Sequence, residues 1–250
     1  MMDLLREWLE RMAWVMDVPE MFGVFHLCAF VLCVLGALLY GRLARNARTK
    51  VFFYTGIVLC VMEVYKQLFV FFVINHAGFY DWWYFPFQLC SMPMYLCIVQ
   101  RFVNEKTRTD IRVFLGTYGV IAALAALIYP QDMLRKYVVL TVHGFLYHGV
   151  ILGIGAASLS RHNQNIPFTG ALGLFLVLCL SAEAVNTIGH HLRTAGSAPD
   201  MFYISPYLPA SQPVFSFIGH TLGRCPEICI YIIILSAASW VLYTVRKKGV

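Results

Sequence analysis

Of 250 residues, 60% are hydrophobic, 15% aromatic and 13% charged, and the formal net charge is +6. An average soluble domain is about 45–50% apolar and about 25% charged. With a mean hydropathy of +0.68, these proportions exclude a disordered chain, an ordinary cytosolic enzyme and a disulfide-stapled secreted module, and leave a polytopic membrane protein.

Residues 1–20 form the first element. Leu5, Leu9, Met12 and Met16 recur at helical spacing, which predicts an amphipathic segment lying on the outer surface. Asp3, Glu7, Glu10, Asp17 and Glu20 leave no basic start before an apolar run, so a cleavable signal peptide is not expected. Residues 21–250 are read as a single transmembrane helical domain, all-α, with about seven spans. A crossing needs about 20 mostly apolar residues. The candidates are Met21–Tyr40, Val51–Ile74, Phe85–Val103, Val113–Tyr129, Leu134–Leu159, Pro167–Gly189 and Ile228–Tyr243. Pro86 is expected to open the third and Pro130 to close the fourth. A long outer loop, 190–227, carries five prolines and reads as a lid, a binding loop or a re-entrant cover.

Lys and Arg set the orientation. Arg42, Arg45, Arg48, Lys50, Arg101, Lys106, Arg108, Arg112, Arg161, Arg246, Lys247 and Lys248 fall on one side. Only Arg6, Arg11, Arg135, Lys136, Arg193 and Arg224 fall on the other. The positive-inside bias therefore predicts an outside N-terminus and a cytoplasmic C-terminus, in a multi-pass protein of the cell membrane. The basic residues form no recognition stripe, so nucleic acid is not an expected partner. Eight cysteines include no CxxC pair and no zinc-type Cys/His spacing; no metal or other cofactor is expected.

Polar groups within spans are costly and are functional candidates by default. Glu63, Lys66 and Gln67 share one helix face, as a bound charged pair or as the floor of a solute cavity. Gln88, Cys90 and Ser91 lie in the third span, His143 and His148 in the fifth. Cys179, Glu183, Asn186 and His190 make one stripe in the sixth. Nucleophilic catalysis needs a thiol, a base to take its proton and a polar group to orient the base. Cys90, a span-five histidine, and Asn186 or Glu183 satisfy that set. Depth from the outer surface favours His143 as the base. Helix-packing glue is the alternative for all of these groups.

Phe85-Pro86-Phe87-Gln88-Leu89-Cys90-Ser91 resembles the Pro-x-His-x-Cys-type element of the YwaF-like, or transmembrane protein 164, family of integral membrane proteins. Gly119 to Pro130, then Phe145 to Gly149, Glu183 to Asn186, and Asp200 to Pro206 are similar to further family elements, in order, so that the likeness covers roughly residues 50–245. The resemblance implies a helical bundle and, from its eukaryotic branch, an acyltransferase moving fatty acyl chains between membrane phospholipids. Cys90 then takes the nucleophile role and His148 the base role, with His143 second. Glu63, Lys66, Gln88, Ser91 and Glu183 become candidates for binding substrate. Gln88, Ser91 and Asp200 stand where bacterial relatives often carry His, Asp and Asn. A transporter or binding protein for a small solute or lipid, and a structural membrane protein, are the competing functions.

Overall fold

The computed structural model describes residues 2–44, 49–158 and 167–248. Arg45, Arg48 and Arg161, three of the residues used to orient the chain, and Leu159 at the expected end of the fifth span, lie outside them. Among the described residues ten α-helices run in order: α1 (Met2–Arg11), α2 (Val24–Leu43), α3 (Thr49–Phe69), α4 (Met92–Val99), α5 (Glu105–Phe114), α6 (Val120–Ile128), α7 (Val138–Ser158), α8 (Thr169–Leu192), α9 (Pro213–Leu222) and α10 (Arg224–Lys248). A π-turn, Val70–Ile74, extends α3, and a second, Leu115–Gly119, joins α5 to α6. Among the described residues there is no strand.

Among the described residues six helices are long and apolar enough to cross a membrane: α2, α3 with its π-turn, the continuous α5–α6 unit, α7, α8 and α10. The expected third span is different in kind. The Tyr84 carbonyl accepts a hydrogen bond from Gln67 near one end of α3. Arg101 and Phe102 pack on Phe53 near the other end, at 4.8 and 6.1 Å. The chain therefore passes along the length of α3, but only Leu89–Val99 is helical on the way. Pro86 explains the break. It drives the preceding residue out of the helical region, and Phe85 and Gln88 both have extended ψ angles, 130° and 159°. The proline in the first turn of a helix is Pro93, in α4, not Pro86.

We call the end of the bundle near Tyr84 the upper end. It carries α1, residues 129–137 and residues 193–223. The N-terminal segment is fixed there by backbone bonds from Met16 N to the Lys136 carbonyl and from Val138 N to the Trp14 carbonyl, at 2.8 and 3.0 Å. Leu9 of α1 is buried against Phe69, Phe72 and Val73, while Leu4, Trp8 and Met12 stay exposed. The helix ends at Arg11, so the expected stripe of Leu5, Leu9, Met12 and Met16 forms only in part, with Leu9 buried and Met12 exposed beyond the helix. The long upper loop holds α9, and α10 starts at Arg224, earlier than the expected boundary.

Side-chain size explains how the helices meet. In α2 the large apolar residues Leu27, Leu32, Leu35 and Leu39 point outward, whereas His26, Ala37 and Gly41 are buried. Without a hydrophobic drive between helices in lipid, small residues permit the close approaches that dispersion needs. A Cβ on Gly149 would lie 3.2 Å from Cys33 Sγ, and one on Gly56 would lie 2.9 Å from the Met94 carbonyl. His26 ties α2 to α6 through the Leu127 carbonyl at 2.8 Å. Towards the lower end the centre is packed with apolar side chains, Phe52, Leu59, Cys97, Val113, Phe114 and Leu115, and the polar Gln100 is buried as well.

Candidate functional site

The half-extended third crossing borders the main cavity. Irregular backbone at membrane depth is tolerated only where protein or a cavity covers it. Here the Pro86 carbonyl accepts from Tyr95 Oη at 2.9 Å, and Ser91 N returns to the Gln88 carbonyl at 2.8 Å. The cavity has a volume of about 570 Å³, within the range of small-molecule sites. Cys90, His143, His148, Glu63, Lys66, Gln88 and Ser91 all line it. One space thus brings together seven of the nine sequence candidates, drawn from α3, the broken crossing and α7.

The histidines are held in opposite ways. His148 Nδ1 lies 2.8 Å from the carbonyl of Gly144, in its own helix. A carbonyl only accepts, so Nδ1 carries the hydrogen and Nε2 keeps its lone pair. His143 Nε2 donates to the Met62 carbonyl at 3.0 Å, so this ring links α7 to α3. Tyr147 lies between them, stacked on His143 at 5.5 Å and edge-on to His148 at 5.9 Å. Its hydroxyl is buried with no hydrogen-bond partner among the described residues. Along the α3 wall of the cavity Lys66 Nζ and Glu63 Oε1 are 2.8 Å apart, and Gln67 donates to the same carboxylate at 2.7 Å.

Asn186 and Glu183 do not line the cavity. The proposed orienting role fails for Asn186 because both ends of its amide are taken by one backbone residue: Nδ2 donates to the Met201 carbonyl at 3.2 Å, and Oδ1 accepts from Met201 N at 2.6 Å. The orienter of His148 is instead its own helix. Gln88 has a similar duty, donating to the Asp200 carbonyl at 2.9 Å and accepting from Phe202 N at 3.0 Å. Its amide is therefore committed to the fold, although it borders the cavity.

These two amides hold a buried loop against the bundle. Phe202 and Tyr203 take positive φ angles of 58° and 59°, which non-glycine residues adopt only when their surroundings impose it. Asp200 accepts from Ser205 N at 2.9 Å, and Arg224 donates to the carbonyls of Ser205 and Tyr203 at 2.9 and 3.0 Å. Arg224 also pairs with Glu227. Asp200 is 1% exposed. Burial pushes its pKa up to about 6, against the opposing pull of the Ser205 amide and Arg224.

Several site residues escaped sequence reasoning. Asp132 and Arg135, 3.8 Å apart, line the upper mouth, where Tyr203 Oη reaches Asp132 at 3.4 Å and Arg135 lies 5.8 Å from the Tyr84 ring. Trp83, Tyr84, Asp132 and Arg135 also line a second recess of about 500 Å³ above. The i,i+3 spacing of Asp132 and Arg135 was the available signal, masked by their place in a loop. Tyr147 gave none, being one aromatic among many.

Among the described residues no group of His, Cys, Asp and Glu could hold a metal ion, and all eight cysteines are free. No curated protein and no solved structure matches the chain. The family model described as the TMEM164 family matches residues 20–244, a stretch that contains the broken crossing, both histidines, Asn186 and the Asp200 loop. The chain is a multi-pass membrane protein and belongs to the TMEM164 family.

Proposed function

We propose that the cavity is the active site of a lipid-active enzyme, an acyltransferase or acyl hydrolase working on membrane phospholipid through a thioester on Cys90. The observation that supports this most is that Cys90 and His148 border one cavity, and that His148 keeps its Nε2 lone pair because Nδ1 is engaged. In this reading His148 Nε2 takes the thiol proton. The thiolate attacks the ester carbonyl carbon of a phospholipid, and a C–S bond forms. The ester C–O bond then breaks, and the lysolipid oxygen leaves with the proton held by His148. The hydroxyl of an acceptor lysolipid, or water, next attacks the thioester and regenerates the thiol. The N-terminus of α4, two residues after Cys90, presents the positive end of its dipole and favours the thiolate.

The positive-inside bias supports a cell-membrane protein with its upper end outside, which puts the cavity on the outer-leaflet side. A transporter would use polar groups through both halves of the bilayer, whereas the charged and histidine groups that line this cavity come from the upper part of the bundle. The test is to incubate the purified protein in phospholipid bilayers and measure its intact mass. An added acyl mass that is released by hydroxylamine and absent from Cys90→Ala is expected. An unchanged mass in the parent protein overturns the reading.

A further inference from the structure

The cavity has a second edge. Ala125 of α6 and Ile234 and Ala238 of α10 line it, and all three are exposed residues. High exposure in a cavity wall marks a place where that wall is thin or open. Ile234 lies ten residues into α10 and Ala238 fourteen, which puts them about 15 and 21 Å below Arg224 at 1.5 Å per residue. His148 lies ten residues into α7, also about 15 Å down. The α10 side of the edge therefore sits at the depth of His148, and Ala125, about 6 Å below Tyr129, carries the edge up towards the mouth, within a hydrocarbon layer about 30 Å thick.

The side chains there are small or aliphatic. Ala122, Ala125 and Ala126 of α6 and Ala238 of α10 all line the cavity, and the Tyr118–Ser236 hydrogen bond at 3.2 Å sets their register, with Ala125 nearer the upper end than Ala238. Apart from this edge is the upper mouth, with Tyr84, Asp132 and Arg135. One entrance is therefore apolar and faces lipid, while the other is charged and faces the membrane surface.

We infer that the cavity opens sideways into the bilayer between α6 and α10, and that this window takes one hydrocarbon chain of a membrane lipid whose polar head stays at the upper mouth. A helix about 10 Å across would not pass between α6 and α10 into this cavity, whereas a single chain would. Ala125 and Ala238 are then the residues that set how bulky a chain can enter. The inference rests on the acyl-transfer reading for its purpose, but chain binding is separable from thioester chemistry.

The experiment uses full-length protein in bilayers containing a phospholipid with a photoreactive diazirine in its acyl chain. Irradiation of the parent protein and of Cys90→Ala is expected to label peptides from α6 and α10 that face the cavity. In A125W and A238W that labelling and the thioester on Cys90 should both fall by at least about tenfold, the scale on which a pocket rejects a misfit group. Iodoacetamide, small enough for the upper mouth, should still alkylate Cys90 within about twofold of the parent rate, as expected for a substitution that leaves the fold intact. Labelling and thioester that persist in both variants overturn the window. Labelling without any thioester in the parent retains the window and removes the acyl-transfer reading. If tryptophan prevents folding, A125V and A125L decide: the bulk of the accepted chain should decrease stepwise, and an unchanged chain preference overturns the inference.

Discussion

His148 donates its Nδ1 hydrogen to the carbonyl of Gly144, 2.8 Å away and one turn earlier in α7. The bond fixes the ring with elements of its own helix, so the acceptor nitrogen is defined without any second side chain. His143, five residues before, donates from the other nitrogen to Met62 on a different helix. The two histidines that depth and motif could not separate are thus separated by what they hold together.

His148→Ala should lower the rate of thioester formation on Cys90 by about 10²–10⁴, the usual contribution of a positioned base, with little change in melting temperature. His143→Ala removes a tie between α3 and α7 and should lower the melting temperature, a lost hydrogen bond to a buried carbonyl costing about 1–3 kcal/mol. Intact mass and thermal unfolding of both variants check this. The reverse pattern would make His143 the base.

What the sequence revealed follows from which forces act locally. Length and hydropathy revealed the spans, because lipid demands them wherever they occur. Alternation of basic loops is equally local. The broken crossing was half visible: Pro86 was seen, but its effect on Phe85 to Gln88 depends on α3 and the Asp200 loop being present to cover exposed backbone. Cys90, His148, Glu63 and Lys66 were legible because polar atoms in an apolar stretch are conspicuous. Asn186 was conspicuous for the same reason, yet its partner is the Met201 backbone, which carries no signal in sequence. Tyr147 and the window alanines were invisible because they look like any other membrane residue until helices are placed side by side.

Glu63 is 4% exposed and shares Lys66 as its cation. Truncating one member of a buried pair leaves the other charged and unpartnered, a loss of about 3–5 kcal/mol, whereas replacing both by neutral groups of similar size is often harmless. Lys66→Met should therefore destabilise the protein markedly, and Glu63→Gln combined with Lys66→Met should recover most of the loss. Chemical or thermal unfolding in detergent measures this. A double variant as unstable as Lys66→Met would show that the pair does not act as a unit.

Asp200 gives the loop beside the cavity a pH dependence. Its folded pKa is raised to about 6, from about 3.9 in an unfolded chain. Between those values the folded state binds the proton that the unfolded state has released. Stability is therefore highest at the acid end and falls as pH climbs through about 4 to 6, by about 3 kcal/mol in all, with no further change from this group above that window. Asp200→Asn keeps the oxygen that accepts from Ser205 N and should abolish this slope while raising the melting temperature at pH 7. Melting curves of parent and variant across that range check both parts. An equal slope in the two proteins removes Asp200 as its source.

Tyr147 presents the opposite case, a group whose loss should help the empty protein. Its ring is held between two imidazoles, and its hydroxyl is buried without a partner among the described residues. An unsatisfied buried hydroxyl costs about 1–3 kcal/mol. Phenylalanine keeps the ring contacts and removes the oxygen, so Tyr147→Phe should be as stable as the parent or more so by up to that amount. When the cavity is filled, the ester oxygen of a bound lipid is the acceptor that the proposed chemistry offers this hydroxyl. Tyr147→Phe should then gain less stability than the parent from added phospholipid. Melting temperatures with and without lipid separate the cases: equal lipid shifts would leave the hydroxyl without a role in binding, and a variant less stable than the parent when empty would mean that the hydroxyl has a partner in the protein itself.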